Sequence, residues 1–390
     1  MLKSKFNQRI IFALLIVFSI SFVLSLFLMQ LVGGLLFLLW LFEKNEERKK
    51  AFDPIVAFIL IFGLLRLITI LLSEYPQTSY ESLYKEALFY TSATTVTFYF
   101  KTLNKQMVLN VMLAFIIGAA VMSIVGSIRF LLHFVDRAQT FTSSYTVFSG
   151  YLLTGFSVAL FCPKKNKNFL EMFFWSVIYI IILVGLITSL GRANIAIALL
   201  LLISAIVLRR IPIKQLIVLS VFFLISISIY LYNPPQQIEQ RVQNISQLSD
   251  RDIIWKGAKE ISLKHPILGF GPRTFKLIFP LKESFVDKGI GGWHNDFLQI
   301  YFESGIIGLI SFFALLWMII KTSFNQLRNK KTDTELKHLS ASVLASVIAL
   351  LLSALFAGFI TSVVLSIVFV FLISFLSRIN FENSLMDYDF

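Results

Sequence analysis

Apolar blocks long enough to cross a membrane recur along nearly the whole chain. The sequence is 57% hydrophobic and only 15% charged, and its mean hydropathy is +0.80. Soluble domains carry about a quarter charged residues, and a run of about 18 or more apolar residues is the length that crosses the hydrocarbon of a bilayer. The pattern predicts an all-α polytopic membrane protein with about twelve transmembrane helices and one long loop that contains short helices.

The polar connectors divide the chain into three predicted regions. Residues 1–232 hold spans one to nine, residues 233–296 form the long polar loop, and residues 297–390 hold spans ten to twelve and a tail. The first apolar block, residues 10–42, is too long for a signal peptide and is predicted to be a helical hairpin. The spans are predicted near residues 10–25, 27–42, 52–72, 86–101, 107–131, 146–162, 170–188, 193–208, 213–232, 299–320, 338–357 and 359–377.

The basic residues predict which side of the membrane each connector faces. Counted by connector, roughly 21 Lys and Arg lie on one side and roughly 4 in the short connectors of the other, and the richer side is normally cytoplasmic. Both termini are therefore predicted in the cytoplasm and the loop 233–296 outside it, which is the periplasmic side of the inner membrane if the cell is a diderm bacterium. The net charge of +13 then reflects membrane orientation and does not indicate a nucleic-acid partner.

His294 is the first candidate for chemistry. It follows three glycines within four positions and stands just before the tenth predicted span, so its ring is expected at the membrane surface. Near neutral pH an imidazole accepts a proton from an attacking hydroxyl. The structural alternative is a histidine that only fixes the loop through a hydrogen bond to a backbone carbonyl. Asn295 and Asp296, which complete the motif, are additional candidates.

Arginines are the second group of candidates. Arg192 stands in a very short turn between the seventh and eighth spans, and Arg251 begins a predicted amphipathic loop helix. Asp250 is the predicted cap of that helix, and its predicted apolar stripe is Ile254, Ala258 and Ile261. A guanidinium keeps its charge and offers a fork of donors that suits a pyrophosphate, whereas the alternative is a side chain that only snorkels to lipid phosphates. Arg66 is a further candidate because a charge inside a span is costly. Arg241 and Arg273 lie in the loop and complete the set.

Several kinds of site are not supported by the sequence. The Gly269-Phe270-Gly271 turn follows no strand, and neither a Walker sequence nor metal-ligand spacing of His, Cys, Asp or Glu is present. With the single Cys162, no intramolecular disulfide is possible. We therefore expect no metal and no cofactor. A transfer reaction outside the cytoplasm then needs a pre-activated donor, and a polyprenyl pyrophosphate sugar fits that requirement.

At these residues the chain resembles the O-antigen ligase and polymerase family of bacterial envelope glycosyltransferases. The resemblance covers roughly residues 180–315 by motif and the whole chain by topology. It rests on four motifs in order: Arg192 at a span junction; Asp250-Arg251-Asp252-Ile253-Ile254-Trp255; Pro266-Ile267-Leu268-Gly269-Phe270-Gly271; and His294-Asn295-Asp296 followed by Glu303-Ser304-Gly305-Ile306-Ile307-Gly308. Some ligases carry a second histidine where this chain has Gly292.

The resemblance implies a reaction and a role for each matched residue. A glycan is transferred without a metal from undecaprenyl pyrophosphate to a hydroxyl, which in the ligase belongs to the lipid A core. Arg192 and Arg251 would bind the pyrophosphate, and His294 would activate the acceptor in a direct, inverting displacement. The expected partners are thus a lipid-linked glycan, the lipid A core and membrane lipids.

Two other functions remain open at this point. A polymerase of the same family would use a second lipid-linked glycan as acceptor, and the donor motifs do not distinguish it from a ligase. A transporter or lipid flippase is also compatible with about twelve spans, but such proteins usually place ionisable residues near the membrane midplane and show inverted repeats. Apart from Arg66 and Glu303 the predicted spans are nearly free of charge, which favours the enzyme.

Overall fold

The computed structural model describes residues 5–141, 144–164, 168–221, 250–285 and 290–388, and over these ranges the regular structure is helical throughout. The short segments Asn45–Arg48, Pro76–Ser79 and Phe275–Ile278 are single helical turns, and residues 213–221 are also helical. The principal helices are α1 (Lys5–Leu24), α2 (Leu26–Leu41), α3 (Pro54–Leu71), α4 (Glu81–Thr102), α5 (Lys105–Leu131), α6 (Tyr145–Phe161), α7 (Phe169–Thr188), α8 (Arg192–Val207), α9 (Arg251–Ile261), α10 (Asp296–Arg328), α11 (Thr334–Ala354) and α12 (Val363–Tyr388).

The all-helical membrane class predicted from the sequence is confirmed. Six of the described helices, α3, α5, α7, α10, α11 and α12, are long and apolar enough to cross a bilayer, and α1, α2, α6 and α8 are shorter apolar helices. Each predicted span coincides with a helix, although for the ninth only residues 213–221 are described. The chain is thus a multi-pass membrane protein, and the count of about twelve spans stays a prediction.

Burial distinguishes the helices at the centre of the bundle from those at its periphery. In α12, 89% of the residues in its most apolar 18-residue stretch are buried. In α6 every residue from Phe148 to Phe161 is buried. In α7 only 33% of the residues in the corresponding stretch are buried. Exposed leucines and isoleucines cover the outer sides of α2, α3 and α8. Because exposed apolar faces are stable in lipid, these helices form the rim and α6 and α12 form the core.

The loop helix α9 matches its predicted amphipathic pattern but not its predicted cap. Ile254, Ala258 and Ile261 are buried, as the stripe predicts. They pack in a second apolar cluster that includes the loop residues Phe275 and Trp293. Asp250 adopts a left-handed backbone conformation (φ 56°), and its side chain makes no cap hydrogen bond to the helix, so the predicted capping role is wrong. The loop is therefore anchored mainly by its apolar cluster.

A second anchor joins the loop to α10 at a break in that helix. Gly305 has φ 63° and ψ −166°, so the helical backbone is interrupted there and residues 266–271 insert. In a continuous helix the Ile306 and Ile307 N–H groups would donate to the carbonyls of Phe302 and Glu303. Instead, the loop replaces both bonds. The four observed bonds are Phe270 N to Phe302 O at 2.8 Å, Gly271 N to Glu303 O at 3.1 Å, Ile306 N to Pro266 O at 2.8 Å and Ile307 N to Ile267 O at 3.5 Å.

Candidate active site

A cavity of about 190 Å³ lies where several helices begin. The first turns of α6, α8 and α9 contribute to its wall, and His294 lines it two residues before α10 starts. Helix N-termini carry partial positive charge and unpaired N–H groups, which favours an anion. Its lining includes Arg137, Tyr145, Thr146, Ser149, Gly191, Arg192, Asn194, Arg251, His294 and Phe356. The structure thus brings together the three site residues predicted first, Arg192, Arg251 and His294.

Arg251 is fixed by the turn that joins α11 to α12. Its guanidinium donates a 2.8 Å hydrogen bond to the carbonyl of Phe356 and lies 5.3 Å from the centre of the Phe356 ring. Burial lowers the pKa of Arg251, and repulsion from Arg192 lowers it further, while Tyr145 opposes both effects. Since an arginine does not lose its proton in proteins, the site holds concentrated positive charge that a bound anion would stabilise.

A buried polar network that the sequence did not reveal fixes the helix that carries Arg192. Arg192 is exposed at the start of α8, and the buried Asn194 stands two residues later. Asn194 donates to the hydroxyl of Ser149 on α6 at 2.8 Å and accepts from the hydroxyl of Ser353 on α11 at 2.7 Å. Buried polar groups that are fully hydrogen-bonded hold helices in one register. The network therefore fixes the position of the α8 N-terminus that presents Arg192.

His294 has a strained backbone that its neighbours maintain. Its φ is 49°, in the left-handed region that few residues other than glycine adopt, and its side chain is exposed. On one side Trp293 is buried and stacks on Phe302 with ring centres 4.0 Å apart. On the other side Asn295 caps α10, accepting from Leu298 N at 3.0 Å. The two anchors direct the imidazole into the cavity and not into the apolar cluster.

Asn295 and Asp296, the additional candidates beside His294, face away from the cavity into the bundle. Asn295 donates to the carbonyl of Leu355 at 3.3 Å, and the fully buried Asp296 accepts from the N–H groups of Phe359 and Ile360 at 2.7 and 3.2 Å. All three partners belong to the same α11–α12 turn that holds Arg251. The arrangement supports a positioning role for both residues, with the turn as a common frame for His294 and Arg251.

The cavity also contains a residue that the sequence reasoning did not select. Arg137 lines it, and its guanidinium lies 4.2 Å from the centre of the Tyr145 ring, which holds the side chain at the start of α6. In the sequence Arg137 counts only as one basic residue of a short connector. Tyr145, the aromatic residue eight positions later on which Arg137 stacks, was the one signal in the sequence that could have identified Arg137 as a site residue. A third guanidinium beside Arg192 and Arg251 adds a donor fork for phosphate oxygens.

Of the remaining candidate arginines, Arg66 and Arg273 do not line the cavity. Arg66 is 2% exposed and bonds Glu86 at 2.6 Å and Glu303 at 3.0 Å, so it lies in a buried ion network and does not snorkel outward. Glu303 also accepts from the backbone N–H of Arg273 at 2.9 Å. Arg66 and Arg273 therefore stabilise the break in α10, and Arg241 lies outside the described residues.

The arrangement is suited to transfer of a group from a diphosphate. Guanidinium groups and helix N-termini stabilise the negative charge that develops on a leaving diphosphate, and a nearby imidazole accepts the proton of an incoming hydroxyl. Arg192, Arg251 and His294 line the same cavity, so groups able to bind an anion and a group able to accept a proton lie together.

One family model matches part of the chain, and the matched part contains the three site residues that were predicted first. The family model Wzy_C, described as O-antigen ligase, matches residues 177–313, a range that includes Arg192, Arg251 and His294 but not Arg137 or Arg66. No curated protein matches the chain. The matched range begins within α7 and ends within α10, so it covers both the first turns of α8 and α9 and the break at Gly305. Within residues 177–313 the chain is therefore similar to the O-antigen ligase family.

Proposed function

We propose that the protein is an O-antigen ligase that transfers a glycan from undecaprenyl pyrophosphate to a hydroxyl of the lipid A core. The observation that carries the proposal is the convergence of Arg192, Arg251 and His294, from three separate segments, on one cavity at the N-terminal ends of helices. The family match supports glycan transfer more generally. The reaction is assigned to the periplasmic face of the inner membrane, in line with the distribution of basic residues.

In the proposed reaction the acceptor oxygen attacks the anomeric carbon from the face opposite the diphosphate. The new carbon–oxygen bond forms as the bond to the diphosphate oxygen breaks, and the configuration at that carbon inverts. His294 takes the proton of the acceptor hydroxyl on a ring nitrogen. The bonding electrons leave with the diphosphate, whose charge Arg192 and Arg251 stabilise, and the step requires no metal.

The central experiment is a reconstituted assay with a lipid-linked glycan donor and lipid A core. His294→Ala is expected to lower the transfer rate about 100-fold or more, because general-base catalysis contributes about that much. Arg192→Lys is expected to lose about tenfold or more, since an ammonium lacks the guanidinium fork. His133→Ala and Arg129→Lys are matched controls outside the cavity and should retain activity. Full transfer by purified His294→Ala would refute the base assignment.

A deletion strain distinguishes the ligase from the polymerase of the same family. Loss of a ligase leaves unsubstituted lipid A core together with intact lipid-linked polymer. Loss of a polymerase leaves core that bears a single repeat unit. Substrate flux into vesicles without glycan transfer would instead indicate a transporter and would exclude both enzymes.

A further inference from the structure

The helices that build the cavity carry a second polar cluster at their opposite ends. Helices α6 and α8 start at the cavity, and α11 ends beside it. Lys164 follows the end of α6, Arg210 follows the end of α8, and His338 lies in the first turns of α11. At 1.5 Å per residue, α6 and α8 are about 24 to 26 Å long, close to the thickness of the hydrocarbon layer. The cluster thus lies at the other membrane face.

Lys164 is an ordered side chain and not a solvated surface lysine. Its ammonium donates to the carbonyl of Leu160 at 2.9 Å and also bonds the hydroxyl of Tyr179. It lies 5.3 Å from the centre of the Trp175 ring and 4.9 Å from that of Tyr179. Burial lowers the pKa of Lys164 to about 8, opposed by Cys162 and reinforced by Arg210. The protein therefore keeps this ammonium in an unfavourable environment.

Arg210 is held beside it by a strained turn. Arg209, at φ 54°, occupies a left-handed position that usually belongs to glycine, and the N–H of Arg210 then bonds the carbonyl of Ala205 at 2.8 Å. This turn brings the Arg210 guanidinium against the ring of His338, to which it hydrogen-bonds. Burial lowers the pKa of Arg210 as well. The backbone strain is explained if a fixed position of Arg210 is required.

The Lys164 ammonium and the Arg210 guanidinium lack a carboxylate partner among the residues that the structure describes. Within the described part of the chain, neither Lys164 nor Arg210 forms an ion pair with a carboxylate. Glu335, the acid next to His338 in α11, pairs with Lys105. Partly buried cations without counter-ions are costly, and between helices at a membrane face the available counter-ion is a lipid phosphate.

We propose that Lys164 and Arg210 bind the phosphate of an anionic phospholipid headgroup at the membrane face opposite the cavity, with His338 orienting the guanidinium. Trp175 and Tyr179 flank the ammonium, as aromatic residues commonly do at the membrane interface. Through α6 and α8 this lipid would stabilise the same helices that present the cavity. The inference is independent of the transfer reaction.

The test compares lipid binding by the full chain in nanodiscs of phosphatidylcholine with and without phosphatidylglycerol. Phosphatidylglycerol should raise the melting temperature, and native mass spectrometry should detect retained lipid. Because a charge-assisted hydrogen bond to a phosphate contributes about 1.5 to 3 kcal/mol, Arg210→Gln should weaken the affinity about tenfold or more, and adding Lys164→Met about 100-fold or more. The controls Arg328→Gln and Lys330→Met remove exposed charges at the last residue of α10 and two residues after it, near the same face.

Three outcomes would overturn the proposal. Equal losses in the control and cluster variants would mean that only the overall charge attracts lipid. Unchanged affinity in Arg210→Gln would leave Lys164 as a simple cap of the α6 carbonyls. A melting-temperature rise of the same size with inorganic phosphate alone would identify a soluble anion and not a lipid. If Lys164→Met fails to fold, Lys164→Arg replaces it in the test. Lys164→Arg keeps the charge and should keep lipid binding, whereas Arg210→Gln should still weaken it.

Discussion

Gly305→Ala tests whether the break in α10 is what holds the loop in place. The φ of 63° and ψ of −166° belong to a region that essentially only glycine adopts, and an added Cβ would lie 2.0 Å from the carbonyl oxygen of Ile267. Backbone strain costs about 1 to 3 kcal/mol. Straightening the helix to relieve it would regain two backbone bonds, but would leave the N–H groups of Phe270 and Gly271 without partners, at about 1 to 3 kcal/mol each.

The expected destabilisation from Gly305→Ala is therefore about 3 to 5 kcal/mol, or a fall in melting temperature of about 10 °C. The assay is thermal unfolding in detergent, with limited proteolysis of the loop and glycan transfer measured in parallel. Transfer should fall with stability because the loop carries Arg251. The matched control is Gly34→Ala, in the middle of α2, where an added Cβ meets nothing within 4 Å. If Gly305→Ala melts and reacts like the native protein, the inserted-loop account is wrong.

Three further changes test the positions around the cavity. Arg137→Gln should lower transfer about tenfold with an unchanged melting temperature, as expected for loss of one charged hydrogen bond to a phosphate, and steady-state kinetics measures it. Arg66→Met should destabilise the protein by about 3 to 5 kcal/mol, because it leaves the Glu303 carboxylate buried without its cation; chemical unfolding reports this loss. Asp296→Ala should lower the free energy of unfolding by about 2 kcal/mol or more, and it should lower the transfer rate because His294 is displaced. If the transfer kinetics are unchanged, Asp296 does not position His294.

The membrane class and the main site residues were accessible from the sequence for simple physical reasons. A span must satisfy its backbone internally and face lipid with apolar side chains, so each one leaves a long and recognisable run of residues. Arg192, Arg251 and His294 were found because charged and polar groups beside such runs are few. The structure then brings the three into one cavity, although their catalytic roles stay predictions.

Other roles could not be read in this way because they depend on partners far away in the chain. Arg66 was a candidate for function as an intramembrane charge, yet its partners Glu86 and Glu303 are 20 and 237 residues away. Asn295 and Asp296 were grouped with His294 by adjacency, but their side chains point to the α11–α12 turn. Arg137 had only Tyr145, eight positions later, as a signal in the sequence, and packing of these two residues brings it to the cavity.

The sequence by itself determined that this chain is a bundle of membrane helices with one polar region, since hydropathy acts over local stretches of residues. It also determined which few side chains are able to bind a diphosphate or accept a proton. Only the tertiary structure decided which of them share a cavity, and it did so through contacts between distant segments: the loop inserted at Gly305, the Asn194 network under Arg192, and the turn that holds both Arg251 and Asp296. The loop insertion and the bonds of Arg251 and Asp296 use backbone groups, which every residue carries, and the Asn194 network joins side chains of three different helices. Such contacts therefore leave little trace in a single sequence.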